Sequence, residues 1–227
     1  MENHMLRYLT PEERKRLFKA AGQSNDIYAR RDSAIIRGLY FSAERVGEFA
    51  LMTVGDAEAA LADKYHFIPK ENRKGGKRDH SVYVTLGLSK ALRDLLEIRI
   101  LITGEEKPAK TAPLLVSRQS TDRPMTVRSI ELRLKKWAIA AGLTDKFSPH
   151  WLRHTRAIDI MRRSKAADPR GVVKAALGHN SIASTGVYTG VLREDVENTL
   201  DDLDRHQGNR ITRAELRRRF DRRHNDD

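Results

Sequence analysis

Cysteine is absent from this 227-residue sequence. That excludes disulfides and thiolate metal sites and favours a reducing compartment. No apolar run approaches the roughly 20 residues of a membrane-spanning helix. The N-terminus, Met-Glu-Asn-His-Met-Leu-Arg, has no signal-peptide layout. A cytoplasmic protein with no membrane partner is therefore expected. Carboxylates are in the minority, 31 against 43 Lys and Arg, and they form no compact cluster suited to a metal ion. Neither a metal nor a cofactor is expected.

What the chain does have is positive charge, +12 overall. Residues 192–227 hold 9 Lys/Arg and 10 Asp/Glu, so residues 1–191 carry +13. An excess of this size suits a polyanion binder, whose sequence-independent affinity comes from released counterions.

The pattern along the chain is mostly helical. Thr10-Pro11-Glu12-Glu13 predicts a capped helix start, with Leu17, Phe18 and Ala21 on its apolar side and Gly22 at its end. Asn25 or Asp26 opens a second helix through Ile35, Ile36, Leu39 and Tyr40. Ser42 to Leu51 reads as a cap and short helix that places Arg45 near a helix N-terminus, beside Glu44 and Glu48. The period then alternates. Tyr65 and Phe67, then Val82, Val84 and Leu86, predict two strands joined by the glycine-containing turn Glu71 to Asp79. A helix from Ser89, a loop with Gly104, Pro108 and Pro113, and the apolar run Leu114-Leu115-Val116 follow. Thr126 caps a helix through Ile130, Leu134, Trp137 and Ala138, stopped by Gly142. Ser148-Pro149 opens a helix carrying His150 and Arg153 on one face. Asp168-Pro169 opens another through Val172, Val173, Ala176 and Leu177, which Gly178 caps. Ser181 starts a short helical segment leading to Tyr188. The expected fold class is α+β, mostly helical, with one small antiparallel hairpin. In the tail, Val196, Leu200 and Leu203 keep helical spacing. Thr212-x-x-Glu215 then opens an arginine-rich end, which reads equally as a solvated helix or an interaction arm.

Singly, each polar candidate has an ordinary structural explanation. Arg45 can pair with Glu48, Lys74 and Lys77 can be solvated turn charges, His150 and His179 can satisfy backbone groups, and Tyr188 can be half-core. Their combination is more specific. His150-Trp151-Leu152-Arg153-His154-Thr155 and Leu177-Gly178-His179, followed by Thr185 and Tyr188, resemble the two C-terminal motifs of the tyrosine recombinase (phage integrase) family. Tyr40 to Leu51, around Arg45, resembles its first motif. Lys74-Gly75-Gly76-Lys77-Arg78 stands where the family has its hairpin lysine. The resemblance covers roughly residues 8–192, the extent of the family's catalytic domain.

The resemblance implies a site-specific DNA recombinase acting in integration, excision, inversion or resolution. Tyr188 would attack a phosphodiester of double-stranded DNA, leaving a 3′-phosphotyrosine and a free 5′-hydroxyl. Arg45 and Arg153 would hold the non-bridging oxygens, His150 and His179 would handle protons there, and Lys74, rather than Lys77, would protonate the departing oxygen. The chemistry is coherent. A tyrosine hydroxyl of pKa near 10 is ionised only about once in a thousand at pH 7, a gap of roughly 4 kcal/mol that guanidinium charge and a nearby base can close. Forked guanidiniums match the charge that phosphoryl transfer places on non-bridging oxygens. A covalent intermediate keeps the ester's energy, so rejoining needs neither ATP nor metal. The alternatives are a non-cleaving DNA-binding protein of the same fold and a topoisomerase IB-like enzyme that nicks and reseals.

The chain departs from the family pattern in three ways. The N-terminal core-binding domain of most members is expected to be absent, either because the chain is a fragment or because it resembles short members such as fimbrial-switch inversion recombinases. Ala43-Glu44 replaces a frequent Gly-Leu, and Glu44 is expected to point away from Arg45. The tail beyond Tyr188 is long. Two segments are expected: a catalytic domain over 1–191 and a helical tail over 192–227 that docks onto a neighbouring protomer. The implied assembly is a homotetramer on two DNA sites, associated with the nucleoid.

Overall fold

The computed structural model describes residues 7–75 and 78–179, all within the first of the two units into which the chain divides, Met1–Tyr188. Tyr188, Lys77 and the tail from residue 192 lie outside the described residues.

Local chemistry sets most helix starts. Helix α1 (Pro11–Gly22) begins with a reciprocal capping box: Glu13 N–H donates to Thr10 Oγ1 at 3.2 Å and Thr10 N–H to Glu13 Oε2 at 2.8 Å. Asp26 caps α2 (Ile27–Ser42), accepting from Ala29 N–H at 2.9 Å. α2 is the central helix and is buried on nearly every side, with Ile35, Ile36, Leu39 and Tyr40 in the core. It ends at Ala43, which takes the left-handed conformation (φ 55°). That geometry costs a residue with a side chain about 1–2 kcal/mol. The Ala43 methyl recovers part of it, about 0.8 kcal/mol, by packing with Ala157, Val173 and Leu177 in a small second core.

The third helix differs from expectation at its start. Ser42 closes α2 instead of capping, and Arg45 itself is the N-cap of the five-residue α3 (Val46–Ala50). Helix α4 (Val54–Asp63) has no counterpart in the sequence reading, although Thr53 and Asp56 form a capping box at its start. Strands β1 (Tyr65–Ile68) and β2 (His80–Tyr83) pair antiparallel, Tyr65 opposite Tyr83 and Ile68 opposite His80. The hairpin is where the alternation places it, but β1 faces the other way: Tyr65 and Phe67 are exposed while His66 and Ile68 are buried. Leu86 is not a strand residue. It opens α5 (Leu86–Thr103), which Thr85 caps and Gly104 ends at φ 72°.

The run Leu114-Leu115-Val116 is fully buried without forming a strand. Leu114 N–H donates to Met52 O at 2.9 Å and Leu115 O accepts from Met125 N–H at 2.8 Å. Then come α6 (Val127–Ala140), capped by Thr126, α7 (Pro149–Arg163), capped by Ser148, and α8 (Pro169–Leu177), capped by Asp168 and ended by Gly178 at φ 63°. Buried polar groups set the mutual placement of these helices. Asp32 on α2, fully buried, accepts from Arg31 Nη2 at 2.8 Å, Arg133 Nε at 2.6 Å and Trp137 Nε1 at 2.9 Å, tying α2 to α6. Asp159 on α7 accepts from Tyr40 and Arg14, tying α7 to α2 and α1. The α+β class holds, and no helix of the described residues is long and apolar enough to cross a membrane.

Candidate active site

Arg45 sits where α2 gives way to α3. Its backbone N–H donates to Glu48 Oε2 at 3.0 Å and its Nη1 to Glu48 Oε1 at 2.8 Å. The Glu48 side chain is almost wholly buried while that of Arg45 is 28% exposed. A carboxylate anchored below a guanidinium fixes the fork and leaves it facing outward. The ordinary explanation of Arg45, a pair with Glu48, is therefore true, and it is also what aims the arginine. Glu44 turns the other way as expected. It is buried, and its Oε1 lies 2.8 Å from His66 Nδ1 on β1.

Arg153 lies one turn beyond His150 on α7 and is 5% exposed. Its Nη1 donates to Ala43 O, and its Nη2 to Leu177 O at 2.9 Å. One guanidinium thus joins the end of α2, just before Arg45, to the end of α8, just before His179. Gly178 allows the chain to turn there, and His179 N–H donates to Lys174 O at 3.0 Å. Lys74 lies exposed in the hairpin turn.

The electrostatics place these groups in one neighbourhood. His150 has a lowered pKa: burial disfavours the charged ring first, then the charges of Arg153 and Arg45, with Glu131 opposing and Lys74 adding to the depression. His179 is lowered to about 4 by burial, then Arg153 and Arg45, with His154 and Arg73 contributing. His154 is also lowered to about 4, by burial, then His150 and Arg153. Its ring centroid is 6.3 Å from that of His150. Arg45, Lys74, His150, Arg153 and His179 therefore share one electrostatic field, drawn from the cap of α3, the hairpin, α7 and the second residue past α8. At neutral pH the histidines are uncharged. The site combines cationic donors with neutral imidazoles able to accept a proton, as a phosphate-handling centre requires. The sixth expected residue, Tyr188, lies outside the described residues.

Two further residues at this centre escaped the sequence reading. Arg73, in a run of charged turn residues, is buried, with Nε 3.6 Å from Glu48 Oε1. His80 lies with Nε2 3.3 Å from Ala176 O, its pKa lowered by burial and then by Arg73. Spacing gives no signal for Arg73, because a turn has no periodicity to reveal which charge points inward. His80, by contrast, stands two residues before the buried Val82 on β2, so alternation does place it on the inner face.

Comparison with known proteins bears on the family and the fold. The model of the phage integrase family matches residues 7–195. Tyrosine recombinase XerC of Listeria monocytogenes serovar 1/2a (strain ATCC BAA-679 / EGD-e) is 32% identical over 195 residues, covering 85% of this chain and 60% of that protein. The chain thus spans about 60% of the length of this curated relative. The crystal structure of XerA recombinase superposes with a TM-score of 0.69 at 25% identity, covering 89% of this chain and 65% of that one. The XerH site-specific recombinase, in a post-cleavage complex with palindromic difH substrate, has a TM-score of 0.66 at 18% identity, covering 89% of this chain and 54% of that one. The last likeness bears on the fold alone. The family match, spanning all the described residues and all four motifs, shows that this chain belongs to the phage integrase family of tyrosine recombinases.

Proposed function

We propose that the chain is the strand-cleaving part of a site-specific DNA recombinase. The observation that carries this is the convergence of Arg45, Arg153, His150, His179 and Lys74 on one neighbourhood, with the imidazoles neutral at neutral pH. A scissile phosphate would be held by Arg45 and Arg153. His150 would take the phenolic proton as the Tyr188 oxygen bonds to phosphorus, with His179 donating a hydrogen bond at the same phosphate. The bond from phosphorus to the 5′ oxygen then breaks, and Lys74 delivers a proton to that oxygen. Reversal with a new 5′-hydroxyl rejoins the strand. Neither metal nor nucleotide enters these steps.

The partner under this proposal is double-stranded DNA. The working assembly is a homotetramer on two sites, with residues 192–227 as the docking tail and the cytoplasmic nucleoid as its place. The same fold without Tyr188 chemistry would be a DNA-binding accessory protein, and nicking without exchange would be topoisomerase-like.

A suicide duplex, nicked so that the short cleaved fragment diffuses away, tests the proposal. Wild-type protein should form a covalent adduct that survives denaturing electrophoresis, and Tyr188→Phe should form none. Absence of the adduct with wild type would make the chain a binder. Relaxation of supercoils without recombinant products would indicate the topoisomerase-like alternative.

A further inference from the structure

The last carbonyls of a helix have no partners within the helix and sit at the negative end of its dipole. At the end of α8 three successive ones are engaged by side chains from α7 and the hairpin. Ala176 O faces His80 Nε2 at 3.3 Å, Leu177 O accepts from Arg153 Nη2 at 2.9 Å, and Gly178 O accepts from Arg73 Nη2 at 2.5 Å. His179 follows directly. Two of the three side chains, Arg73 and His80, come from the hairpin, one on each side of the turn that carries Lys74.

Arg73 has three further contacts, the longest of its hydrogen bonds running from Nη1 to Asp79 O at 3.5 Å. Its Nη1 donates to Arg78 O at 2.7 Å, closing the neck of the turn around Lys74. Its Nε lies 3.6 Å from Glu48 Oε1, the oxygen that accepts from Arg45, and makes no hydrogen bond among the described residues. The side chain is only 6% exposed. The fit leaves no room for a side chain at residue 178. A Cβ there would stand 2.6 Å from Arg73 Nη2 and 2.7 Å from His80 Cγ, on a backbone already at φ 63°.

We propose that Arg73 is a positioning residue: by bonding both the neck of the hairpin and the end of α8, it holds Lys74 and His179 in one geometry around the phosphate. This rests on the strand-cleavage proposal above. A buried arginine that merely satisfied carbonyls would, when replaced, lower stability without selecting among chemical steps. A positioning residue for the lysine would weaken the leaving-group step in particular.

The test is single-turnover cleavage of two suicide duplexes, one ordinary and one with sulfur at the 5′ bridging position, whose departure needs no acid. Arg73→Gln should slow the ordinary duplex about a hundredfold, the lower end of what a general acid contributes. It should come within a few-fold of wild type on the sulfur duplex, as Lys74→Ala should. Equal loss on both duplexes, or none on either, would overturn the inference. Arg73→Lys keeps the charge, but its single ammonium cannot span Arg78 O and Gly178 O. It should show the same sulfur-rescued defect even if Arg73→Gln does not fold, and wild-type rates on the ordinary duplex would count against positioning. A readout independent of cleavage is the His179 ring titration followed by NMR. Arg73→Gln should move it up from about 4, and an unmoved titration would again overturn the inference. Wild-type protein that cleaves neither duplex would instead refute the strand-cleavage proposal.

Discussion

His154 and His179 are neutral at physiological pH because of burial and the cations around them. Their values near 4 against about 6.5 in an unfolded chain have two consequences of definite sign. As pH falls from about 6.5 towards 4 the unfolded chain takes up protons that the folded chain refuses, so stability is lost over that window. His66 has the opposite sense. Burial lowers its pKa, but the Glu44 carboxylate outweighs this and leaves it raised. The contribution of that pair is complete below about 6.5 and is lost as pH rises through the folded value. The second consequence concerns binding. A DNA phosphate between Arg45 and Arg153 would offset the charges that depress His179, so the complex should hold protons the free protein does not. Affinity of the Tyr188→Phe protein for duplex DNA, read by fluorescence anisotropy, should therefore rise as pH falls below 7, with proton uptake measurable by calorimetry in buffers of different ionisation heat. Replacing His179 by Asn should flatten the profile. An identical profile in the variant would remove His179 from the phosphate's surroundings. Of these residues, His150, Arg153 and Arg45 were legible through the motifs that resemble the family's, with helix spacing placing the first two on one face. Ser42 stood as the expected cap, so the cap position of Arg45 was not legible. Nor was the burial of Arg73, since in Arg73-Lys74-Gly75-Gly76-Lys77-Arg78 it looks as solvated as its neighbours.

At the level of elements, capping chemistry marks most helix starts, but Ser42 is no cap, Thr85 rather than Ser89 opens α5, and the start of α4 went unread. Thr53-x-x-Asp56 marks the start of α4, but Gly55 and the small residues Ala57 and Ala60 hid the helical face, because alanine burial carries little hydrophobic contrast. Alternation located the hairpin yet could not say which face of β1 turns inward. The buried face includes a histidine, tolerable only because Glu44 meets it across 22 residues of sequence. Asp32 decides helix placement in the same way. Within a helical pattern it reads as a surface acid, whereas it is the buried centre to which Arg31, Arg133 and Trp137 all donate. Removing one partner from such a network leaves uncompensated charge, at a cost of about 3–5 kcal/mol. Asp32→Ala should lose about that much in urea unfolding followed by circular dichroism. Arg133→Met, which removes a partially exposed member, should lose clearly less. Negligible loss in both variants would mean that α2 and α6 are joined by apolar packing alone.

For the whole molecule, the fold class and the order of motifs follow from pattern, whereas the convergence of five residues from four segments depends on long-range polar bonds that no local pattern encodes. Charge is the whole-molecule property that the sequence does display. The +13 of residues 1–191 is more than the cations of the candidate site account for. A cavity of about 560 Å³ between the start of α2, the loop before α6 and α6 itself is lined by Arg118 and Lys136, by Arg31 and Arg133, which are paired with Asp32, and by Asp26. A surface charged this way should bind duplex DNA largely by displacing counterions, each neutralised phosphate adding about −0.9 to the slope of log K against log salt. If the basic face meets six to ten phosphates, affinity should fall by roughly 10³–10⁵ between 50 and 200 mM salt. Titration of the Tyr188→Phe protein across that range on duplexes of unrelated sequence should give similarly steep slopes for each. A slope near −1 would mean that only the phosphate at the centre is gripped, leaving the wider excess of charge without a role in holding DNA.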